Sequence, residues 1–212
     1  MEWRLLEGVP PEEVRRLLSL ARRRTFRRGE VVFHRDDPSD SLHFIAKGRF
    51  AIRVMTPLGD TATIAVRGPG ETFGEMGAIG RAPRSATVEA LEEAETFCLY
   101  EREFDRVRRE HPAVNDVLIA FLANEVRMLN ERLLEALYLP AERRVLRRVA
   151  ELADLYGGAE IPLTQEELAG LAGTSRATVN AVLRDEEKRG TVELKRGKTV
   201  VLDRGEISRR AG

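Results

Sequence analysis

The chain has 212 residues, with 35 basic and 35 acidic side chains, a formal net charge of zero and 42% hydrophobic content. That length allows one large domain or two small ones, each with its own core, and the balanced charge announces no nucleic-acid partner. A single cysteine, Cys98, excludes an intrachain disulfide and a four-cysteine iron–sulfur or zinc site. The start, MEWRLLEGVPPEEV, is charged, and the longest apolar run, Val117 to Ala123, is too short to span a bilayer. No membrane partner is expected, and the location is expected to be cytoplasmic. His34, His43 and His111 lack metal-ligand spacing, so no metal is expected either.

Pro10 and Pro11 followed by EEVRRLLSLARRR read as a short helix, with proline in the first turn and acids near its positive end. From Thr25 to Tyr100 the pattern changes to short β-rich runs: EVVFH, SLHFIAKG, FAIRVM, TATIAV, SATVEA and ETFCLY. Gly48, Gly59, Gly68, Gly70 and Gly74 fall at the breaks, and the spacing means a sandwich or barrel.

After a short helical segment, EREFDRVRREHP, a long helix is predicted from Ala113 to about Leu137. A near-heptad seam runs through 118, 122, 125, 129, 132 or 133, and 136, interrupted by Glu125, with Val117, Phe121 and Met128 beside it. One helix with two apolar stripes needs two partners, here its own barrel and the same helix of a second subunit. The alternative is a single buried helix in a monomer. Pro140 marks a hinge, which divides the chain into an effector unit over 1–112, a dimerisation helix and hinge over 113–139, and a DNA-reading unit over 140–212.

From Pro140 onward there are 14 Lys/Arg against 12 Asp/Glu, which permits DNA binding without announcing it. The specific signal is TQEELAGLAGTSRATVNAVLRDEEKRG. Thr164 and Glu167 form a capping box. Ala169 allows two helices to approach, Gly173 permits a tight turn, and Val179 and Val182 fill the space between the helices. This is a helix-turn-helix whose second helix begins at Thr174 or Ser175 and presents Arg176, Ala177 and Asn180 to the major groove. TVELKRGKTVVLD follows as a hairpin wing, with Arg196 and Lys198 near its tip. The candidate DNA contacts are Thr164, Gln165, Thr174, Ser175, Arg176, Ala177, Thr178, Asn180, Arg196 and Lys198.

Phe73 to Val88 reads FGEMGAIGRAPRSATV, a glycine turn and a carboxylate followed nine residues later by an arginine. Backbone N–H groups and Arg84 suit a phosphate, Ser85 adds a hydroxyl, and Glu75 accepts from a sugar hydroxyl. The ordinary alternative is a solvated Glu75–Arg84 ion pair. No nucleophile–base grouping or cofactor glycine fingerprint supports catalysis, so the chain is not read as an enzyme.

The cassette FGEMGAIGRAPRSATV resembles that of the cyclic-nucleotide-binding domains, and with TSRATV and RGKTVV the chain resembles the CRP/FNR transcription regulators along nearly its full length. The resemblance implies an α+β fold: an N-terminal β-roll, a long dimerisation helix and a C-terminal winged helix-turn-helix. It implies an effector site of Phe73, Gly74, Glu75, Arg84 and Ser85, with Gly74 and Glu75 at the ribose and Arg84 and Ser85 at the cyclic phosphate. Where cyclic-AMP-responsive members present two hydroxyl residues to adenine, this chain has Leu129 and Asn130; the amide pairs with adenine, the leucine does not hydrogen-bond. The expected effector is cyclic AMP (cAMP) or a related nucleotide, and the alternative is a regulator of the same fold that acts without one. Founding-type members are similar at Ser175, Arg176, Thr178 and Val179 but carry charged readers where this chain has Ala177 and Ala181. The expected partners are a pseudo-palindromic DNA duplex, a second copy of the chain, and RNA polymerase.

Overall fold

The computed structural model describes residues 3–7, 9–56, 59–80, 82–110, 112–158 and 160–212. His111 lies outside them. The chain forms two compact units, Met1–Arg127 and Met128–Gly212.

In the first unit, α1 (Pro11–Leu20) starts on proline with Glu12 and Glu13 in its first turn. It ends four residues short of the predicted helix, because Arg22–Phe26 forms strand β1. Arginine favours helix locally, but this segment gains a full antiparallel ladder against β8 (Ala94–Tyr100), from Arg22 opposite Cys98 to Phe26 opposite Ala94. Arg23 pairs with Glu95, and Arg22 lies over the Tyr100 ring.

The remaining strands are β2 (Val31–Phe33), β3 (Ser41–Lys47), β4 (Phe50–Met55), β5 (Thr61–Arg67), β6 (Thr72–Phe73) and β7 (Thr87–Ala90). They build two four-stranded antiparallel sheets, ordered β1-β8-β3-β6 and β2-β7-β4-β5. Phe26, Ile45, Phe50, Phe73, Val88, Ala90 and Ala94 form one buried cluster of this roll. A second cluster joins Trp3, Leu17, Leu42, Phe44 and Leu99 to Phe104 and Val107 of α3 (Glu101–Glu110) and to Val114 and Leu118 of α4 (Ala113–Tyr138).

His43 is buried in the roll, with Nδ1 2.9 Å from Thr96 Oγ1 and its ring stacked on Phe73 at 4.8 Å. Burial, and then the charges of Arg84 and Arg24, push its pKa from 6.5 down to about 3. The unfolded chain therefore takes up a proton that the folded chain refuses. This contribution to stability is intact above 6.5 and is lost as pH falls toward 3. We expect the thermal midpoint to fall between about pH 7 and about pH 4, and to fall less steeply in His43→Phe, which keeps the stack and removes the titration. Parallel slopes for the two proteins, followed by circular dichroism, would show that another group dominates.

Helix α4 corrects the predicted seam. Leu118 is only 4% exposed and belongs to the unit's own core. Ile119, Val126, Leu129 and Leu133 are each more than half exposed, and with Leu122 and Ala136 they repeat at intervals of three and four residues. Glu125 does not interrupt this stripe. It faces β5, where Arg67 Nη2 donates to its Oε2 at 2.8 Å while Nη1 donates to Glu71 at 2.9 Å.

The second unit contains α5 (Ala141–Leu155), β9 (Glu160–Ile161), α6 (Gln165–Ala172), α7 (Arg176–Arg189), β10 (Val192–Lys195), β11 (Lys198–Val201) and α8 (Arg204–Ala211). Pro140 caps α5 from the non-helical side. Its core joins Val145, Leu146 and Val149 to Ile161, Leu168, Val179, Leu183 and Ile207, all buried. The three short strands form one sheet ordered β10-β11-β9. Two buried charges are matched: Glu186 accepts from Thr191 Oγ1 at 2.6 Å and pairs with Arg210, and Arg148 pairs with Glu135.

Candidate effector and nucleic-acid sites

The segment between β6 and β7 builds the first site. After Phe73, Gly74 adopts φ +84, and a Cβ there would stand 2.7 Å from Arg84 Nη1 and 3.1 Å from the Ser41 carbonyl oxygen. Only glycine fits. The glycine turn falls at Gly74, and the segment after it, Glu75–Gly80, is a short helix, α2, with Glu75 in its first turn. The Phe73 ring is buried in the core, so its backbone alone is left to face a ligand. Ser85 is exposed.

Arg84 is 4% exposed and its head group is held on several sides. Nη1 donates to the carbonyls of Ser41 at 2.7 Å and Gly74 at 3.2 Å, and Nη2 donates to Ser41 Oγ at 3.0 Å and Asp40 Oδ1 at 3.3 Å. The guanidinium carbon lies 3.9 Å from the centre of the Phe33 ring. Burial pulls this guanidinium below its ordinary pKa, and Asp40 is the main charge opposing that. The expected alternative, a solvated Glu75–Arg84 pair, is replaced by a buried arginine whose carboxylate partner is Asp40.

Among the buried polar atoms without a hydrogen-bond partner are Arg84 Nε and Glu75 Oε2, with Thr72 Oγ1 and Ser39 Oγ beside the same segment. Burial raises the Glu75 pKa, opposed by a hydrogen bond from its own backbone and by Arg67. An orphaned donor and an orphaned acceptor beside a glycine cradle fit the phosphate and a hydroxyl of a cyclic nucleotide. Phe33, Asp40 and Ser41 were not legible as site residues, because they belong to β2, β3 and the acid-rich turn between them. Their one signal is the DDPSD run, which reads as an ordinary loop. Leu129 and Asn130 fall in the second unit, both exposed on α4.

The second site lies on α6, α7 and the wing. Thr164 caps α6 through a complete capping box with Glu167, and Gly173 closes α6 in the left-handed region at φ 59. From α5, Arg144 donates to the carbonyls of Ala172 at 2.9 Å and Gly173 at 3.0 Å, fixing the turn. Ser175 caps α7, its Oγ accepting from the Thr178 amide at 3.1 Å. The first turn of α7 holds no acid, and its first residue is Arg176, exposed. A cation at a positive helix end costs energy in the free protein and suits an anionic partner.

Ala177 and Asn180 are exposed on the same helix, Thr174 and Thr178 partly so. Asn180 donates to Gln165 Oε1 at 2.9 Å, bridging α7 to the start of α6. Arg196 is exposed in the turn between β10 and β11. Lys198 is paired with Glu160 at 2.8 Å, a surface pair that a phosphate can replace at little cost.

Two family models match the chain: cyclic nucleotide-binding domain over residues 23–111, and Crp-like helix-turn-helix domain over residues 131–210. The chain is 34% identical to the cyclic AMP receptor protein of Thermus thermophilus, over 94% of this chain and 92% of that protein. It is 28% identical to the CRP-like cAMP-activated global transcriptional regulator of Mycobacterium tuberculosis, over 98% and 96%. Among solved structures, the Thermus thermophilus catabolite activator protein aligns with a TM-score of 0.59 at 32% identity, covering 98% of both chains.

Proposed function

The chain belongs to the CRP/FNR family of DNA-binding transcription regulators with a cyclic nucleotide-binding domain, and from that membership we propose a homodimer whose DNA affinity is gated by cAMP or a related cyclic nucleotide. The observation that carries the gating is the buried Arg84 set against the Gly74 cradle, with Arg84 Nε and Glu75 Oε2 still unpartnered. In this reading Arg84 and Ser85 hold the cyclic phosphate, Glu75 accepts a ribose hydroxyl, and the Asn130 amide pairs with adenine. Leu129 supplies an apolar surface only.

Gating requires that the ligand favour one arrangement of the DNA-reading units over another, by as much as its differential affinity. The effector and DNA-reading units are taken to join through 113–139. The dimer acts in the cytoplasm and reaches RNA polymerase from a pseudo-palindromic site. One observation favours a second reading, a regulator independent of cyclic nucleotides: four acceptors of the protein itself already hold Arg84. Calorimetric titration with cAMP and cyclic GMP separates the two. Saturable heat with either nucleotide supports gating; no heat with both, from protein that binds DNA, supports independence.

For the DNA face, Arg176→Ala should relax preference at one symmetric G·C pair per half-site, a loss of about 1 to 3 kcal/mol of discrimination. Lys198→Ala should weaken all sequences alike and flatten the salt dependence. Selection on a randomised half-site measures both, and unchanged base preferences after Arg176→Ala would reduce that residue to a phosphate contact.

A further inference from the structure

Arg84 already has a counter-anion. Asp40 Oδ1 stands 3.3 Å from Nη2 and also accepts from Ser41 Oγ at 2.8 Å. The segment carrying it is fixed at several points: Asp36 N donates to the Arg84 carbonyl at 2.8 Å, Arg84 N donates to the Asp37 carbonyl at 2.9 Å, and Glu101 N donates to the Asp40 carbonyl at 2.7 Å. It also packs on α2, where a Cβ at Gly77 would overlap Ser39. The turn therefore lies along the cassette at Gly77 and at Arg84, and it keeps one carboxylate beside the cation that faces the phosphate.

We propose that Asp40 is a specificity residue of the effector site, admitting a singly charged cyclic phosphodiester and disfavouring a doubly charged 5′-monophosphate. The inference rests on the cyclic-nucleotide reading above. The guanidinium and Asp40 sum to zero charge, so every negative charge brought to Arg84 also meets the Asp40 carboxylate. A cyclic diester carries one such charge, and a phosphate monoester carries about 1.5 to 2 near neutral pH. Coulomb energy is linear in the ligand's charge, so the penalty as a fold-change in affinity is roughly squared for the dianion. Asp40 is 70% exposed, which keeps the effect modest and dependent on salt. The pocket would thereby reject the linear product that hydrolysis of a cyclic nucleotide leaves behind.

The test is calorimetric titration of the wild-type chain and Asp40→Asn with cAMP and with 5′-AMP, at low and at high salt. Asparagine keeps the size and the acceptor for Ser41 Oγ and removes only the charge. The expected result is cAMP binding tightened about threefold and 5′-AMP binding tightened about tenfold, both gains shrinking in high salt. An unchanged ratio between the nucleotides, or weaker cAMP binding, overturns the role of Asp40 and leaves nucleotide gating standing. If neither protein binds either nucleotide, both the proposal and the gating reading fall.

Discussion

Arg84→Leu should lower cAMP affinity by about 100-fold or more if Arg84 holds the phosphate as proposed, because it removes that buried cation. Leucine retains the apolar stem of the arginine but none of the hydrogen bonds of its head group. Without the guanidinium, the carbonyls of Ser41 and Gly74 lose donors, at about 1 to 3 kcal/mol for each group left buried and unpaired. The variant should therefore unfold at a lower temperature than wild type while remaining folded at room temperature. Arg84→Lys keeps the charge without the forked geometry and should restore binding only in part. Wild-type affinity in a folded Arg84→Leu protein would show that the phosphate site lies elsewhere.

The second large effect concerns assembly. Val126→Asp combined with Leu133→Asp should convert the proposed dimer to monomer at micromolar concentration and weaken binding to a palindromic duplex by at least about 100-fold. Both positions are more than half exposed in the single chain, so the substitutions leave each chain's own core intact. In a seam they place an unpaired charge opposite its own copy. Sedimentation equilibrium reads the result directly. A double variant that keeps its dimer mass, or a wild-type monomer that binds the palindrome tightly, contradicts the α4 interface.

The helix-turn-helix was legible because its determinants are local. Thr164, Glu167, Ala169, Gly173, Val179 and Val182 each act within one turn or on the adjacent helix, and fixed spacing carries that information. The capping box, the left-handed glycine and the buried valines are all present. The effector side was legible only along its own segment. Glu75 and Arg84 stand nine residues apart in the cassette, but Asp40, Ser41 and Phe33 reach Arg84 from β2, β3 and the turn between them, more than forty residues away in sequence.

Two departures have the same origin. Arg22–Arg24 carries a helical propensity that pairing with β8 overrides, and that ladder spans some seventy residues. On α4, apolar periodicity identified two stripes but could not assign Leu118 to its own core and Ile119 to the exposed face, since adjacent residues differ by about 100° around a helix. Glu125 looked like a flaw in the seam for the same reason. Its partner, Arg67, lies on a distant strand.

The most direct measurement is the affinity of the wild-type protein for a pseudo-palindromic duplex with half-sites about 34 Å apart, by fluorescence anisotropy with and without saturating cAMP. Ligand gating predicts that cAMP tightens DNA binding by about tenfold or more, and that DNA tightens cAMP binding by the same factor, as linkage requires. Equal DNA affinity with cAMP, with cyclic GMP and with neither would contradict gating by these nucleotides.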